Sequence, residues 1–309
     1  MTRHAFLDIG TNTALLLVVE IQKDGSVKVL HDQAQIPRLG QGLNQGEMFL
    51  KESMDRAISV LKDYKAICEN LKCETVTLYG TAASRRAKNR QVLMDRIADE
   101  IEWTLQVISG EKEAELISLA TLSDFASLPN PKVILDIGGG STEFIVSEDG
   151  VSQSQLVSLL MGVVRFKEAY LKGFPAKPEE LLALDAAIQD RLKDLPKGFL
   201  VDVKTFIATA GTPTTVSALM QSLPEYDSEK VHGSEFSIQE LETLMARLEA
   251  MSLEELESLP CLPKGRADMI VAGCRILKQV LLHFGVGKVH VSDKGLRYGM
   301  LAEFLSVKS

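Results

Sequence analysis

Val133-Ile134-Leu135-Asp136-Ile137-Gly138-Gly139-Gly140-Ser141-Thr142-Glu143-Phe144-Ile145-Val146-Ser147 is the stretch on which the fold turns. An apolar run, Val133 to Ile137, enters a turn of three glycines, and a second run, Phe144 to Ser147, leaves it. Short apolar runs bounded by glycine read as buried strands. Glycines there weaken a sheet unless the backbone must approach something closely. A phosphate group held by a nest of backbone N–H groups is such a partner.

The same arrangement stands 128 positions earlier. Ala5 to Ile9 runs into Asp8-Ile9-Gly10-Thr11-Asn12-Thr13, and Ala14 to Ile21 follows. Gly10 permits an unusual backbone angle, and Thr11, Asn12 and Thr13 present donors. Lys23 to Ser26 and Glu148 to Gly150 supply the next turns, with third strands at Val27 to His31 and Val151 to Val157. The pattern predicts a duplication at domain scale, far above the period of a repeat array. Asp8 and Asp136 each end a strand beside a glycine loop. They either cap the turns or, with Glu143, serve as ligands of Mg²⁺, which takes carboxylates together with phosphate.

Between and after these loops the spacing predicts helices at Glu47 to Leu71, Asn89 to Glu100, Glu111 to Phe125, Val163 to Leu171 and Pro178 to Leu195, a helical tail from Lys264 to His283 and a last helix from Lys294. Met54, Ile58, Leu61 and Ile67 fall near one helical face. Strands are expected at Thr75 to Tyr79, Leu105 to Ile108, Thr205 to Thr209 and Lys288 to Val291. Pro129-Asn130-Pro131 breaks the chain. Ala210-Gly211-Thr212-Pro213-Thr214-Thr215 reads as a third glycine loop opening a helix, with Thr212 as N-cap and Pro213 at the first helical position. Its free N–H groups suit an anion.

The 309 residues are 45% hydrophobic and 25% charged, with net charge −8. This is a globular composition long enough for two cores. The acidic balance argues against wrapping duplex nucleic acid. No apolar run approaches a membrane span, and the N-terminus has no leader pattern, so a cytoplasmic protein is expected. Cys68, Cys73, Cys261 and Cys274 have no zinc or CxxC spacing, and the five histidines form no metal motif; reduced thiols are expected.

Six segments together resemble the exopolyphosphatase/guanosine pentaphosphate phosphatase (Ppx/GppA) family, within the superfamily of actin, sugar kinases and heat-shock chaperone ATPases. They are Asp8 to Thr13, Gly80-Thr81-Ala82-Ala83-Ser84-Arg85, Ile108 to Ala114, Asp136 to Glu143, Ala210 to Thr215, and Asp293-Lys294-Gly295-Leu296-Arg297. Thr11 and Thr13 stand where serines are common in the family, and the hydroxyl is kept. The resemblance implies an α/β fold of two ribonuclease-H-like domains, about 1–125 and 126–295, with an interdomain cleft and helix 296–309 packing on the first. It implies hydrolysis of the terminal phosphate of polyphosphate or guanosine pentaphosphate. Glu113 becomes the general base and Arg85 the phosphate-gripping arginine. Gly10, Thr11, Asn12, Thr13, Gly138, Gly139, Gly140, Ser141, Gly211 and Thr212 become phosphate-binding, and Asp8, Asp136 and Glu143 the Mg²⁺ ligands. By position alone, Glu111, Glu113 and Glu115 are acids that favour a helix start; that reading is kept for Glu111 and Glu115. A homodimer is implied. Longer family members carry additional helical domains that the short form lacks. The alternatives are an ATP-dependent kinase or ATPase of the same superfamily, and a non-hydrolytic (p)ppGpp sensor.

Overall fold

The computed structural model describes residues 1–148, 154–199 and 201–308. The chain divides into two compact units: Met1–Leu116 with Leu296–Ser309, and Ile117–Gly295. In the first, β1 (Thr2–Ile9), β2 (Ala14–Ile21) and β3 (Val27–Gln35) form an antiparallel meander. Helices α1 (Leu43–Gly46) and α2 (Lys51–Asn70) lead to β4 (Thr75–Gly80), parallel to β1. Helices α3 (Ala82–Arg86) and α4 (Arg90–Ile101) lead to β5 (Leu105–Val107), parallel to β4, and α5 (Gly110–Asp124) follows. The sheet order is β3-β2-β1-β4-β5.

The second unit repeats this plan. Strands β6 (Lys132–Ile137), β7 (Thr142–Ser147) and β8 (Ser154–Leu159) are antiparallel neighbours. Helices α6 (Val163–Tyr170) and α7 (Pro178–Leu192) lead to β9 (Thr205–Thr209), parallel to β6. Then come α8 (Gly211–Met220), α9 (Ser228–Val231), β10 (Glu235–Ser237), α10 (Ile238–Glu249), α11 (Leu253–Glu257), α12 (Lys264–Ala267), α13 (Ile270–Phe284) and β11 (Lys288–Val291). The order β8-β7-β6-β9-β11-β10 matches the first sheet strand for strand, with β10 added at the edge. Helix α14 (Leu296–Lys308) belongs to the first unit.

Every residue of β6, β7 and β9 is buried. Strands buried along their whole length are what a sheet covered on both faces requires. Each unit has its own core. Leu7, Leu16, Leu61 and Tyr64 sit in the first, and Leu135, Phe144, Phe206 and Leu277 in the second. Along α2, Met54, Ile58 and Leu61 are buried, and Ile67 packs partly buried beside them. Arg297 of α14 donates to both carboxylate oxygens of Asp32 on β3, at 2.9 and 3.1 Å, and the Tyr298 hydroxyl adds a third bond at 2.7 Å.

Several boundaries differ from the sequence reading. The contact division falls at Leu116–Ile117, inside α5, whereas the family resemblance implied a boundary near 125. Helix α2 starts at Lys51, because Glu47 takes φ 54° and ends α1 first. The expected helix over 264–283 is two helices, α12 and α13. The last helix starts at Leu296, two residues after Lys294. The turn at Asp149 and Gly150 and the start of the third strand at 151–153 lie outside the described residues. All four cysteines are free, and burial pushes the Cys274 thiol up to about 12. No helix among the described residues is long and apolar enough to cross a membrane.

Candidate active site

In the first unit, the β1–β2 hairpin closes through Gly10 N–H donating to Thr13 O at 2.9 Å. The loop is also held from outside: Gly40 N–H donates to Thr11 O (2.7 Å) and Arg38 N–H to Asn12 O (3.0 Å). Thr11 and Asn12 are buried. Gly10 does not use the left-handed region; among the described residues Gly25, Gly42, Gly233 and Gly285 do. A Cβ at Gly10 would meet Thr13 O at 3.4 Å and Thr81 Oγ1 at 3.7 Å, ordinary contact. The expected backbone freedom is therefore not its use here. The glycine under pressure is Gly40, where a Cβ would fall 2.3 Å from Thr11 Cγ2.

Asp8, at the end of β1, is 7% exposed, and its Oδ2 is buried without a hydrogen-bond partner. Desolvation raises its carboxyl to about 7 against the pull of the nearby Arg297 guanidinium.

Arg85 and Glu113 come from separate elements, α3 behind β4 and α5 behind β5, and the parallel β4–β5 pair brings those two elements side by side. Arg85 Nη1 donates to Glu113 Oε2 at 2.6 Å and to the Ile108 carbonyl at 3.2 Å. Both side chains are largely buried, 23% and 12% exposed. The tight β4–α3 turn that aims Arg85 depends on Gly80, where a Cβ would lie 2.8 Å from Ser84 Oγ. Glu113 is thus a paired carboxylate beside the one arginine the sequence singled out. Its neighbours Glu111 and Glu115 are exposed. Glu111 is held below the usual carboxylate range by its own backbone and the Ser109 hydroxyl. Glu115 pairs with Lys112 at 3.1 Å.

In the second unit, Gly138 N–H donates to Ser141 O at 3.0 Å, the same closure as Gly10 to Thr13. Asp136 and Glu143 are direct cross-strand partners on β6 and β7. Both are buried, at 8% and 1% exposed. Glu143 Oε1 accepts from the Ser141 and Ser158 hydroxyls, both at 2.7 Å. Thr142 Oγ1 donates to the Met161 carbonyl. Two buried carboxylates in register need a cation, donors or a proton to offset their repulsion.

The third glycine loop corrects the sequence reading. Helix α8 begins at Gly211, with Ala210 as its N-cap, so Thr212 and Pro213 are its second and third residues. Ala210 adopts φ 72°, ψ −171°, a region that glycine almost monopolises. That strained turn swings the chain into the helix directly after β9, two residues earlier than the Thr-Pro rule implies. Pro213 remains harmless because first-turn N–H groups have no helical partner. The Arg266 guanidinium covers the helix start: a Cβ on Gly211 would lie 3.0 Å from its Cζ. Strain of this kind costs about 1–3 kcal/mol, and a glycine gives back roughly 0.4–1 through the unfolded chain. Ala210→Gly is therefore expected to stabilise the protein by about 1 kcal/mol, a rise of about 2–4 °C by calorimetry. A fall in melting temperature would refute strain at Ala210.

Sequence reasoning passed over Gly40, Gly162 and Arg266. Each acts through a contact with a residue far away in the chain, and no local pattern announces it.

The Ppx/GppA phosphatase family profile matches residues 17–307. Exopolyphosphatase 2 of Mycobacterium tuberculosis is 30% identical, covering 97% of this chain and 98% of its own length. Guanosine-5'-triphosphate,3'-diphosphate pyrophosphatase of Photobacterium profundum is 27% identical over 98% of this chain, which spans 59% of that protein. Among solved structures, an exopolyphosphatase from Cytophaga hutchinsonii superposes with a TM-score of 0.91 at 27% identity, covering 99% of this chain and 98% of that one. The Aquifex aeolicus Ppx/GppA family member gives a TM-score of 0.81 at 28% identity, covering 100% and 99%. With nearly full-length agreement in sequence and in the duplicated α/β fold, the chain belongs to the Ppx/GppA phosphatase family, and it is a hydrolase.

Proposed function

We propose that this enzyme hydrolyses the terminal phosphoanhydride bond of an anionic phosphate chain, polyphosphate or guanosine pentaphosphate. The observation that carries the reading is the 2.6 Å pairing of Arg85 with Glu113 at the positions matching the family's arginine and base. Phosphoryl transfer needs positioning and charge stabilisation more than covalent chemistry. Arg85 binds the terminal phosphate through its planar fork. Once phosphate oxygens occupy the guanidinium, the Glu113 carboxylate is released to accept a proton from water. The water oxygen bonds to phosphorus, the bridging P–O bond breaks, and the shortened chain leaves with that bond's electrons. Glu113 holds the proton and returns it to solvent. Phosphate donors within the first unit are the N–H groups of Thr11 to Thr13, and within the second those of Gly139 to Ser141 and of the α8 start (Gly211, Thr212); the Gly10 and Gly138 N–H groups close their hairpins onto Thr13 O and Ser141 O.

Mg²⁺ fits the carboxylates of each unit. Asp8 offers a buried carboxylate oxygen with no other hydrogen-bond partner, and Asp136 and Glu143 form a buried acidic pair. Among the described residues no cluster of three His, Cys, Asp or Glu side chains forms a cage. Mg²⁺ takes one or two carboxylates and completes its shell with phosphate and water. When bound, it offsets phosphate charge. Chelation with EDTA is expected to abolish phosphate release and excess Mg²⁺ to restore it; release unchanged by chelation would refute the metal requirement.

The test of substrate class is phosphate release with Mg²⁺ from polyphosphates of graded length, pppGpp, ppGpp and ATP. Release from polyphosphate or pppGpp is expected. Binding of these anions without any release would convert the protein into a sensor and overturn the proposal; turnover confined to ATP with an acceptor would convert it into a kinase.

A further inference from the structure

The Gly138 and Gly139 carbonyls of the glycine loop are not free. At the start of α6, Val163 N–H donates to Gly138 O at 3.0 Å and Val164 N–H to Gly139 O at 2.9 Å, with Arg165 N–H at 3.4 Å from the same oxygen. These are first-turn N–H groups, which a helix itself leaves without partners. The approach is possible only because residue 162 is glycine. A Cβ there would lie 2.3 Å from Gly139 O and 2.4 Å from the carbonyl carbons of Gly139 and Gly140. Gly162 has φ −120°, ψ 156°, ordinary extended backbone, so close packing and not an unusual angle demands glycine.

A trans peptide points its C=O and N–H in opposite directions. Gly138 O shares a peptide unit with Gly139 N–H, and Gly139 O with Gly140 N–H. Drawing both carbonyls onto α6 therefore turns the Gly139 and Gly140 N–H groups away from it. A hydrogen bond accepted at the carbonyl also polarises the same unit and strengthens its N–H as a donor. The first unit repeats the device. Gly40, likewise placed after the third strand, donates its N–H to Thr11 O, the residue that corresponds to Gly139 under the 128-residue offset.

We propose that Gly162 and the α6 start are positioning elements that aim the Gly139 and Gly140 N–H groups at substrate phosphate. This rests on the reading of that loop as phosphate-binding. The test is Val163→Pro, which deletes one N–H donor at a helix position where proline is accommodated and the residue before it is already extended. Val163→Ala, which shortens the buried side chain but keeps the N–H, is the reference for lost packing. Relative to V163A, V163P is expected to lower kcat/KM for polyphosphate by about 10²-fold, as an ångström-scale misplacement does. It is also expected to weaken binding of inorganic tripolyphosphate by calorimetry and to speed amide exchange at Gly139 and Gly140. Gly162→Ala should move all three readouts the same way. Equal constants and exchange in V163P and V163A would overturn the proposal. If the wild type binds tripolyphosphate but releases no phosphate from any substrate, the catalytic reading fails alone, and the binding and exchange comparisons still decide the positioning role. Should the variants not fold, the wild type decides: added tripolyphosphate must shift the Gly139 and Gly140 amide resonances, and unshifted resonances would sink the idea.

Discussion

Glu113→Ala is expected to lower kcat for phosphate release by about 10²–10⁴-fold, the usual contribution of a positioned general base. The same substitution leaves Arg85 without its 2.6 Å carboxylate partner, so the guanidinium meets substrate phosphate without competition. KM should therefore stay level or fall while kcat collapses, a split that distinguishes loss of the base from loss of binding. Stability should change little, because Arg85 still donates to the Ile108 carbonyl and its side chain is 23% exposed. Steady-state kinetics beside a thermal melt decides the matter. A kcat within threefold of the wild type would remove Glu113 from the mechanism.

Asp8→Asn is expected to separate stability from activity. Burial raises the folded-state pKa of Asp8 to about 7, against 3.8 for the unconstrained group. Between these values the folded protein holds a proton that the unfolded chain has lost, so stability declines as pH rises through the window. The penalty is absent below about pH 4 and complete above about pH 7, where a shift near three units corresponds to roughly 4 kcal/mol at most. Asparagine never ionises. The variant should be more stable than the wild type at pH 8, by a few kcal/mol at most, and the gap should close as pH approaches 4. If Asp8 holds Mg²⁺ as proposed, the variant's demand for Mg²⁺ should rise at the same time, by about tenfold or more. Denaturant titrations at several pH values and Mg²⁺ titrations of activity test the two halves. A stability difference that does not vary with pH would show that Asp8 is not held in a desolvated setting.

The raised pKa of Asp8 fits a stability–function trade-off. A buried carboxylate without a cation is a cost to the fold, and function is the usual reason such a cost persists. Asp136 and Glu143 sit directly opposed in register on β6 and β7 in the second unit. There, two serine hydroxyls offset part of the charge.

Much of this was legible in the linear chain. Strands β2, β9 and β11 fall at the residues the apolar runs marked, and β1, β6 and β7 begin or end within a few residues of them. Other signals were present but unread. Ser237 with Glu240, and Ser252 with Glu255, form capping boxes that start α10 and α11. The Thr212-Pro213 rule misplaced a helix start because a strained Ala210 outweighed local preference.

By itself, the sequence determined the duplicated strand–loop–strand plan, the glycine loops and the acids beside them, because apolar periodicity and glycine are local properties. Only the tertiary structure decided which partners those residues meet. It paired Arg85 with Glu113 across 28 positions, stranded a carboxylate oxygen of Asp8 in the core, and pressed Gly162 against Gly139. These depend on close packing between segments distant in the chain, where a few tenths of an ångström separate contact from clash and no pattern of neighbouring residues encodes the distance.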